Sequence, residues 1–276
     1  MSKRETGWNE ILESQKVREW LIDNNSAALQ LTSDDFFAVE CEPVRMIPTY
    51  AAAGLPKQLT ERGIELLRNQ VGGCLLIKTQ ETGLPTLYPK IEEPDEEYSG
   101  LPFHSIPKMS FLMNLDSTLI NEETGIHLAW SMGIIQSFLT DCFSPYDVFT
   151  LGGRLKTTAH GNFQIKDKTF PVDALVEVDG YFESNDRIVV LEAKQSATKT
   201  RRLDFSIHQL ALPLLLVRSQ TEKTCSGLLL DWRIEKRARN PAVNFKLYHY
   251  EIQGDATSIN PFNYSLTKSK SYFIKI

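Results

Sequence analysis

A chain of 276 residues can bury a sizeable core, as one large domain or two modest ones. Its 42% apolar and 24% charged residues are the balance of an ordinary soluble globular protein, and its formal net charge of −5 does not by itself favour a nucleic-acid partner. No apolar run approaches a membrane span and the N-terminus has no apolar signal segment, so a cytoplasmic protein without a membrane partner is expected.

In chain order, Trp8 to Asn24 reads as a first helix with imperfect apolar periodicity. Thr60 to Asn69 reads as a second helix, which Gly72-Gly73 would end before the strand-like Cys74 to Ile77. A helix and a strand in this order fit a winged helix or a general α/β cap. The stretch from Ile91 to Ser99 carries Glu92, Glu93, Asp95, Glu96 and Glu97 and reads as an exposed acidic loop at a boundary. Residues 1–110 are therefore expected to form an N-terminal recognition or dimerisation region, and residues 111–276 a catalytic core with a C-terminal extension.

The core would open with an amphipathic helix over Gly125 to Phe138, preceded by Glu122 and Glu123. Acids at that position suit a helix N-terminus. Val176 to Phe182 is rich in β-branched and aromatic residues and predicts a strand. Ser184-Asn185-Asp186 is a polar turn, and Arg187 to Leu191 is aliphatic enough for a strand buried on both faces. A helix then starts near Asp204, its N-cap, and Cys225 to Trp232 predicts the next core strand. The expected fold is α/β: a mixed central sheet flanked by helices, with α-β-β-β-α-β order through the core and an N-terminal α/β region.

The hairpin carries the chemistry. Side chains alternate along a strand, so Glu177, Asp179 and Tyr181 share one face, while Glu192 and Lys194 share a face that Ala193 avoids. In ordinary register Asp179, Glu192 and Lys194 converge. Two carboxylates, the Ala193 carbonyl and a substrate phosphate suffice for Mg²⁺, for which Mn²⁺ would substitute, with Glu177 as a candidate further ligand. Such a metal lowers the pKa of a bound water and neutralises developing negative charge. Lys194 would orient or deprotonate that water, or stabilise the charge.

Charge is uneven along the chain. The first 140 residues hold 11 basic and 20 acidic side chains, and the remainder 19 and 15. Three basic groups lie near the candidate site in sequence: Lys199, Arg201 and Arg202; Arg233, Lys236, Arg237 and Arg239; and Arg154, Lys156 and Lys166 around Gly152-Gly153. They are the candidate DNA contacts, because phosphate binding needs local basic clusters and Arg reads guanine edges. The four cysteines are scattered without metal spacing and read as free thiols, and the five histidines show no metal spacing either.

The sequence D-G-Y-F followed by I-V-V-L-E-A-K resembles the PD-(D/E)XK nuclease superfamily, with Asp179, Glu192 and Lys194 at the three motif positions. Val178 stands where the motif's name has proline, and Pro171 with Asp173 offers a competing first acid. The resemblance spans roughly residues 120 to 235. It is closest to type II restriction endonucleases, whose upstream segments Pro56 to Leu67 also resembles. It implies a restriction-endonuclease-like core and Mg²⁺-dependent, sequence-specific cleavage of double-stranded DNA by a homodimer, leaving a 5′-phosphate. It also implies supporting roles for Gln209 on the following helix and for an acid on the opening helix, Glu122 or Glu123. A repair or junction-resolving nuclease of the same superfamily, or a non-catalytic DNA-binding module with a degenerate core, are the alternatives.

Overall fold

The computed structural model describes residues 3–23, 25–47, 54–94, 97–98, 120–196, 205–235 and 242–275. The chain begins with α1 (Lys3–Glu13) and α2 (Gln15–Ile22). The single helix expected there is broken at Ser14, whose hydroxyl accepts from the Val17 N–H and caps α2. Next come β1 (Ala28–Leu31) and the short helices α3 (Ser33–Phe37), α4 (Pro43–Met46) and α5 (Lys57–Thr60).

The stretch read as a helix from Thr60 to Asn69 is mostly strand: β2 (Ile64–Gln70) pairs antiparallel with β3 (Gly73–Lys78), which α6 (Thr79–Thr82) follows. Glu, Leu and Arg favour helices, but tertiary pairing overrides that preference. Leu66 packs into the core under the N-terminal helices and its neighbour Leu67 into the core on the opposite face. That is period-2 burial, and only a strand sandwiched between two layers supplies it. Gly72, at φ +74°, makes the two-residue turn between the strands.

Beyond β4 (Glu97–Tyr98), the expected helix over Gly125 to Phe138 is two: α7 (Glu122–Ser131) and α8 (Ile134–Cys142). Gly133, at φ +69°, breaks the run between them. Then follow β5 (Thr150–Gly152), β6 (Leu155–Ile165), β7 (Lys168–Val178), β8 (Gly180–Glu183) and β9 (Arg187–Gln195). The helix α9 (His208–Arg218) precedes β10 (Thr224–Glu235), β11 (Ala242–Gly254) and β12 (Ser258–Lys275). The core is richer in strands than the expected order, and the helix begins at His208; Asp204, expected to cap it, lies outside the described residues.

The twelve strands of the described residues belong to one mixed sheet, in the order β1-β3-β2-β7-β6-β12-β11-β10-β9-β8-β5, with β4 against β12. In this order β7 and β8 are far apart, yet only Asp179 separates them in the chain. The sheet therefore curls back on itself, and α9 lies inside the curl. The sequence of α9, HQLALPLLLVR, is apolar nearly all round and is buried on nearly every side, against β6, β9 and β10 among others. A second core lies under α7 and α8 on the outer face of the central strands, and a third under α1 to α4 on the outer face of β1 to β3. The chain connection from β9 through α9 to the parallel strand β10 is a βαβ unit.

Where it is described, the acidic stretch is an exposed loop through Pro94, as expected, with Glu93 2.5 Å from Lys246 Nζ, while Glu97 and Tyr98 form a short strand paired with Ser271 and Tyr272. The boundary expected near residue 110 lies outside the described residues. No described helix is long and apolar enough to cross a membrane. Cys41, Cys74 and Cys225 are buried, Cys142 half-buried, and all four are free thiols.

Candidate active site

The expected hairpin forms. Ser184 donates its N–H to the Arg187 carbonyl at 2.9 Å, and β8 pairs antiparallel with β9 from Gly180↔Leu191 to Glu183↔Ile188. The upstream strand, however, does not run unbroken from Val176 to Phe182. It changes partner at Asp179, pairing with β6 before it and with β9 after it. Beyond Leu191, β9 has lost its neighbour on that side, and the exposed ladder donor of Ala193 needs an acceptor. Asp179 Oδ2 supplies it at 2.9 Å. The fork in the sheet thus fixes the first acid beside Glu192.

Glu192 and Lys194 point to the α9 side of β9, as alternation predicts, while the Ala193 methyl enters the core under α7 and α8. Lys194 Nζ lies 2.5 Å from Glu192 Oε1 and 3.6 Å from Glu122 Oε1. Gln209, on the first turn of α9, also donates to Glu192 Oε1, and its own amide oxygen accepts from the Ser206 N–H at 3.2 Å. That second bond fixes which way the amide faces. The neighbouring His208 ring is held by the Arg68 carbonyl of β2, 2.8 Å from Nε2. A carbonyl only accepts, so Nε2 carries the hydrogen. Burial pushes the His208 pKa down to about 4 and keeps the ring neutral.

These groups line a pocket of about 160 Å³ that also takes in Arg154, Glu177 and Leu175. Its electrostatics are those of carboxylates short of positive charge. Burial, against the pull of Lys194 and with repulsion from Asp179 and Glu122, pushes Glu192 up to about 8. Burial also raises Asp179, against the Ala193 N–H and the Lys194 and Arg154 charges, and raises Glu122 against the pull of Lys194. Burial works to lower Lys194, but Glu192, Glu122 and Asp179 outweigh it and its net shift is upward.

The donor set fits a hard divalent cation. Every hydrogen bond to Glu192 falls on Oε1 and the one to Asp179 on Oδ2, leaving Glu192 Oε2 and Asp179 Oδ1 without hydrogen-bond partners among the described residues. Mg²⁺ keeps several waters and needs only one or two such carboxylates. A cluster of three or more carboxylate, imidazole or thiol groups poised for a metal does not occur among the described residues.

Not every expected residue is brought together. Glu123 turns to His127, 3.7 Å away, and its neighbour Glu122 faces Lys194 instead. Asn121 caps α7, and that register puts Glu122 toward the site. Glu177 borders the pocket but is engaged by Arg154 at 2.5 Å, which makes it a partner of Arg154 before a metal ligand. Asp173, the competing first acid, pairs with His160 at 3.2 Å, six residues and so about 20 Å of strand from Asp179. Arg233 is turned inward onto Glu235 at 3.1 Å, with its side chain 13% exposed, and does not present itself to DNA. Lys156 is exposed on β6, and Lys166 sits in the tight turn between β6 and β7 at φ +54°. Lys199, Arg201, Arg202, Lys236, Arg237 and Arg239 lie outside the described residues.

One acid was missed. Asp231 stands opposite Lys194 in the parallel β9–β10 register, is buried, and accepts from the Ser196 hydroxyl. A lone Asp after Leu228-Leu229-Leu230 in a core strand was the available signal.

Fold and site together define a mixed α/β protein whose carboxylates and lysine meet at a fork in its sheet. The chain belongs to the family described as "Domain of unknown function (DUF6997)", which matches residues 85–273. No curated protein and no solved structure matches it.

Proposed function

We propose that the protein is a Mg²⁺-dependent endonuclease of duplex DNA, of the type II restriction kind, with a restriction-endonuclease-like core. The observation that carries this reading is the fork: Asp179 bound to the Ala193 N–H, with Glu192 and Lys194 beside it on one face. Asp179 and Glu192 would hold the cation through the oxygens that bear no hydrogen bond, with the Ala193 carbonyl as a further donor. Bound there, the cation would lower the pKa of a water and neutralise charge on the phosphate. Lys194 would hold that water or the scissile phosphate oxygen by hydrogen bond, while Glu122 steadies the ammonium. Gln209 orients Glu192. Two copies acting on opposite strands would make a double-strand break.

Purified protein incubated with plasmid DNA is the test. Cleavage to discrete bands is expected with Mg²⁺ or Mn²⁺, none in EDTA, and binding without efficient cleavage in Ca²⁺, whose longer and looser coordination misplaces the water. Robust cutting in EDTA removes the mechanism.

A further inference from the structure

Resting on that nuclease reading, we infer that the outward face of the β6–β7 ribbon reads DNA sequence in the major groove, through Lys156, Thr158, His160, Asp173 and Leu175.

Val172, Ala174, Val176 and Val178 of β7, with Ala159, Phe163 and Ile165 of β6, are buried in the core around α9. Alternation sends the intervening side chains the other way. The register pairs them across the ribbon: Lys156↔Glu177, Thr158↔Leu175 and His160↔Asp173. Among the described residues, the helices on the outer face cover the third core at β1 to β3 and the second core on the central strands, and the outer face of β6–β7 stays open between them. The His160 and Asp173 side chains are 74% and 67% exposed, and Leu175 is 41% exposed.

Two features point to a nucleic-acid duplex as the occupant. The strip runs directly out of the candidate active site, because Leu175 and Glu177 line the same pocket as Asp179, Glu192 and Lys194. A polymer held at the fork can continue across it. The strip also carries a basic group where it meets the site: Arg154 is offset by Glu177, but Lys156 has no ion-pair partner among the described residues. The dimensions agree. From Leu155↔Val178 to Ala159↔Ala174 the pair has no further paired strand beside it among the described residues, and a two-stranded ribbon fits the major groove, about 12 Å wide. Outward side chains recur about every 7 Å along a strand, roughly two base-pair rises. Lys156 donates, Thr158 and His160 donate or accept, Asp173 accepts, and Leu175 offers an apolar surface for a thymine methyl.

The experiment selects bound sequences from a random duplex pool in Ca²⁺, using the full chain, Thr158→Ala, His160→Ala and Lys156→Ala, with Lys57→Ala as a remote control. Unchanged melting temperatures establish that substitutions at the exposed Lys156 and His160 and the half-buried Thr158 leave the fold intact. Thr158→Ala and His160→Ala are expected to relax the selected sequence and to weaken binding to the wild-type site at least ten-fold, without altering its salt dependence. Lys156→Ala is expected to reduce the slope of log affinity against log salt by about 1. If the wild type selects and cuts a sequence but the three ribbon variants select it with unchanged affinity, the ribbon assignment fails and the nuclease reading stands. Binding by the wild type without any enriched sequence also overturns the ribbon. A wild type that neither binds nor cuts duplex DNA overturns both.

Discussion

Glu192 is a carboxylate that the fold makes hard to ionise. Its folded pKa is pushed up to about 8 from an ordinary value of 4.5, first by burial. Between those two values the folded state holds a proton that the unfolded chain has released, so this group stabilises the metal-free protein at low pH, and that contribution is lost as pH rises from about 4.5 to 8. Glu192→Gln keeps the shape and removes the titration. Without metal, its melting temperature is expected to gain on the wild type as pH is raised from 5 to 8, and Mg²⁺ should close the gap only in the wild type. A constant difference across that range would show that Glu192 ionises normally. Lys194 gives the complementary test on the chemistry. Lys194→Ala should lower single-turnover cleavage by about 10²–10⁴-fold with little change in melting temperature, and Lys194→Arg should not rescue it, because a guanidinium is planar, bulkier and a poor proton acceptor. Near-wild-type cutting by Lys194→Ala would end the nuclease assignment for this site. Asp179, Glu192 and Lys194 were legible in the sequence as a group, because strand alternation and the Ser184-Asn185-Asp186 turn bring them near one another, but the fork that fixes Asp179 on the Ala193 N–H was not. Glu122 was not separable from Glu123, since only the Asn121 cap sets the register of the helix, and the Arg154–Glu177 pair depends on two strands meeting.

Elements near the site obey the same division between local and distant causes. The β8–β9 hairpin and β10 could be read from their own residues. The strand β2 could not, because Leu66 and Leu67 face different layers built from chain segments far away, and helix-favouring composition pointed elsewhere. The partner change at Asp179 was equally hidden: no local signal announces that a long strand exchanges one neighbour for another. The opening helix shows how packing holds a site residue in place. On α7, a Cβ at Gly125 would be driven into the buried Trp232 indole of β10, so the helix can approach the sheet this closely only with glycine there. Trp232 is locked between Phe245 and the helix and has little room to yield. Gly125→Ala is therefore expected to destabilise the fold by about 1–3 kcal/mol in denaturant unfolding, despite the better helix propensity of alanine. Because Glu122 rides on the same helix, cleavage should fall more than the lost stability accounts for. A stabilised Gly125→Ala protein would mean that α7 stands further from the sheet.

At the scale of the molecule, the N-terminal strands are stitched into the sheet that carries the site. Gln70 of β2 pairs with Asp173 of β7, Val71 donates its N–H to the Asp173 carbonyl at 3.0 Å, and the buried Asn69 amide donates to the Pro171 carbonyl at 2.8 Å. The Arg68 carbonyl holds His208, next to Gln209, so the hairpin reaches within one residue of the group that orients Glu192. Leu67, Leu75 and Ile77 enter the same core as α9. Parting the two regions would expose that apolar surface and strand buried polar groups, each costing about 1–3 kcal/mol. Unfolding is therefore expected to be one cooperative transition and not two. The four tryptophans make this measurable: Trp8 and Trp20 lie in the N-terminal core, Trp130 and Trp232 in or against the core under α7. In a Trp130→Phe, Trp232→Phe variant, fluorescence reports the N-terminal region alone while far-ultraviolet circular dichroism reports the whole sheet. The two probes should trace coincident urea curves. If fluorescence is lost at lower urea, the N-terminal region opens by itself, and the contact between β2 and α9 is too weak to position the candidate site.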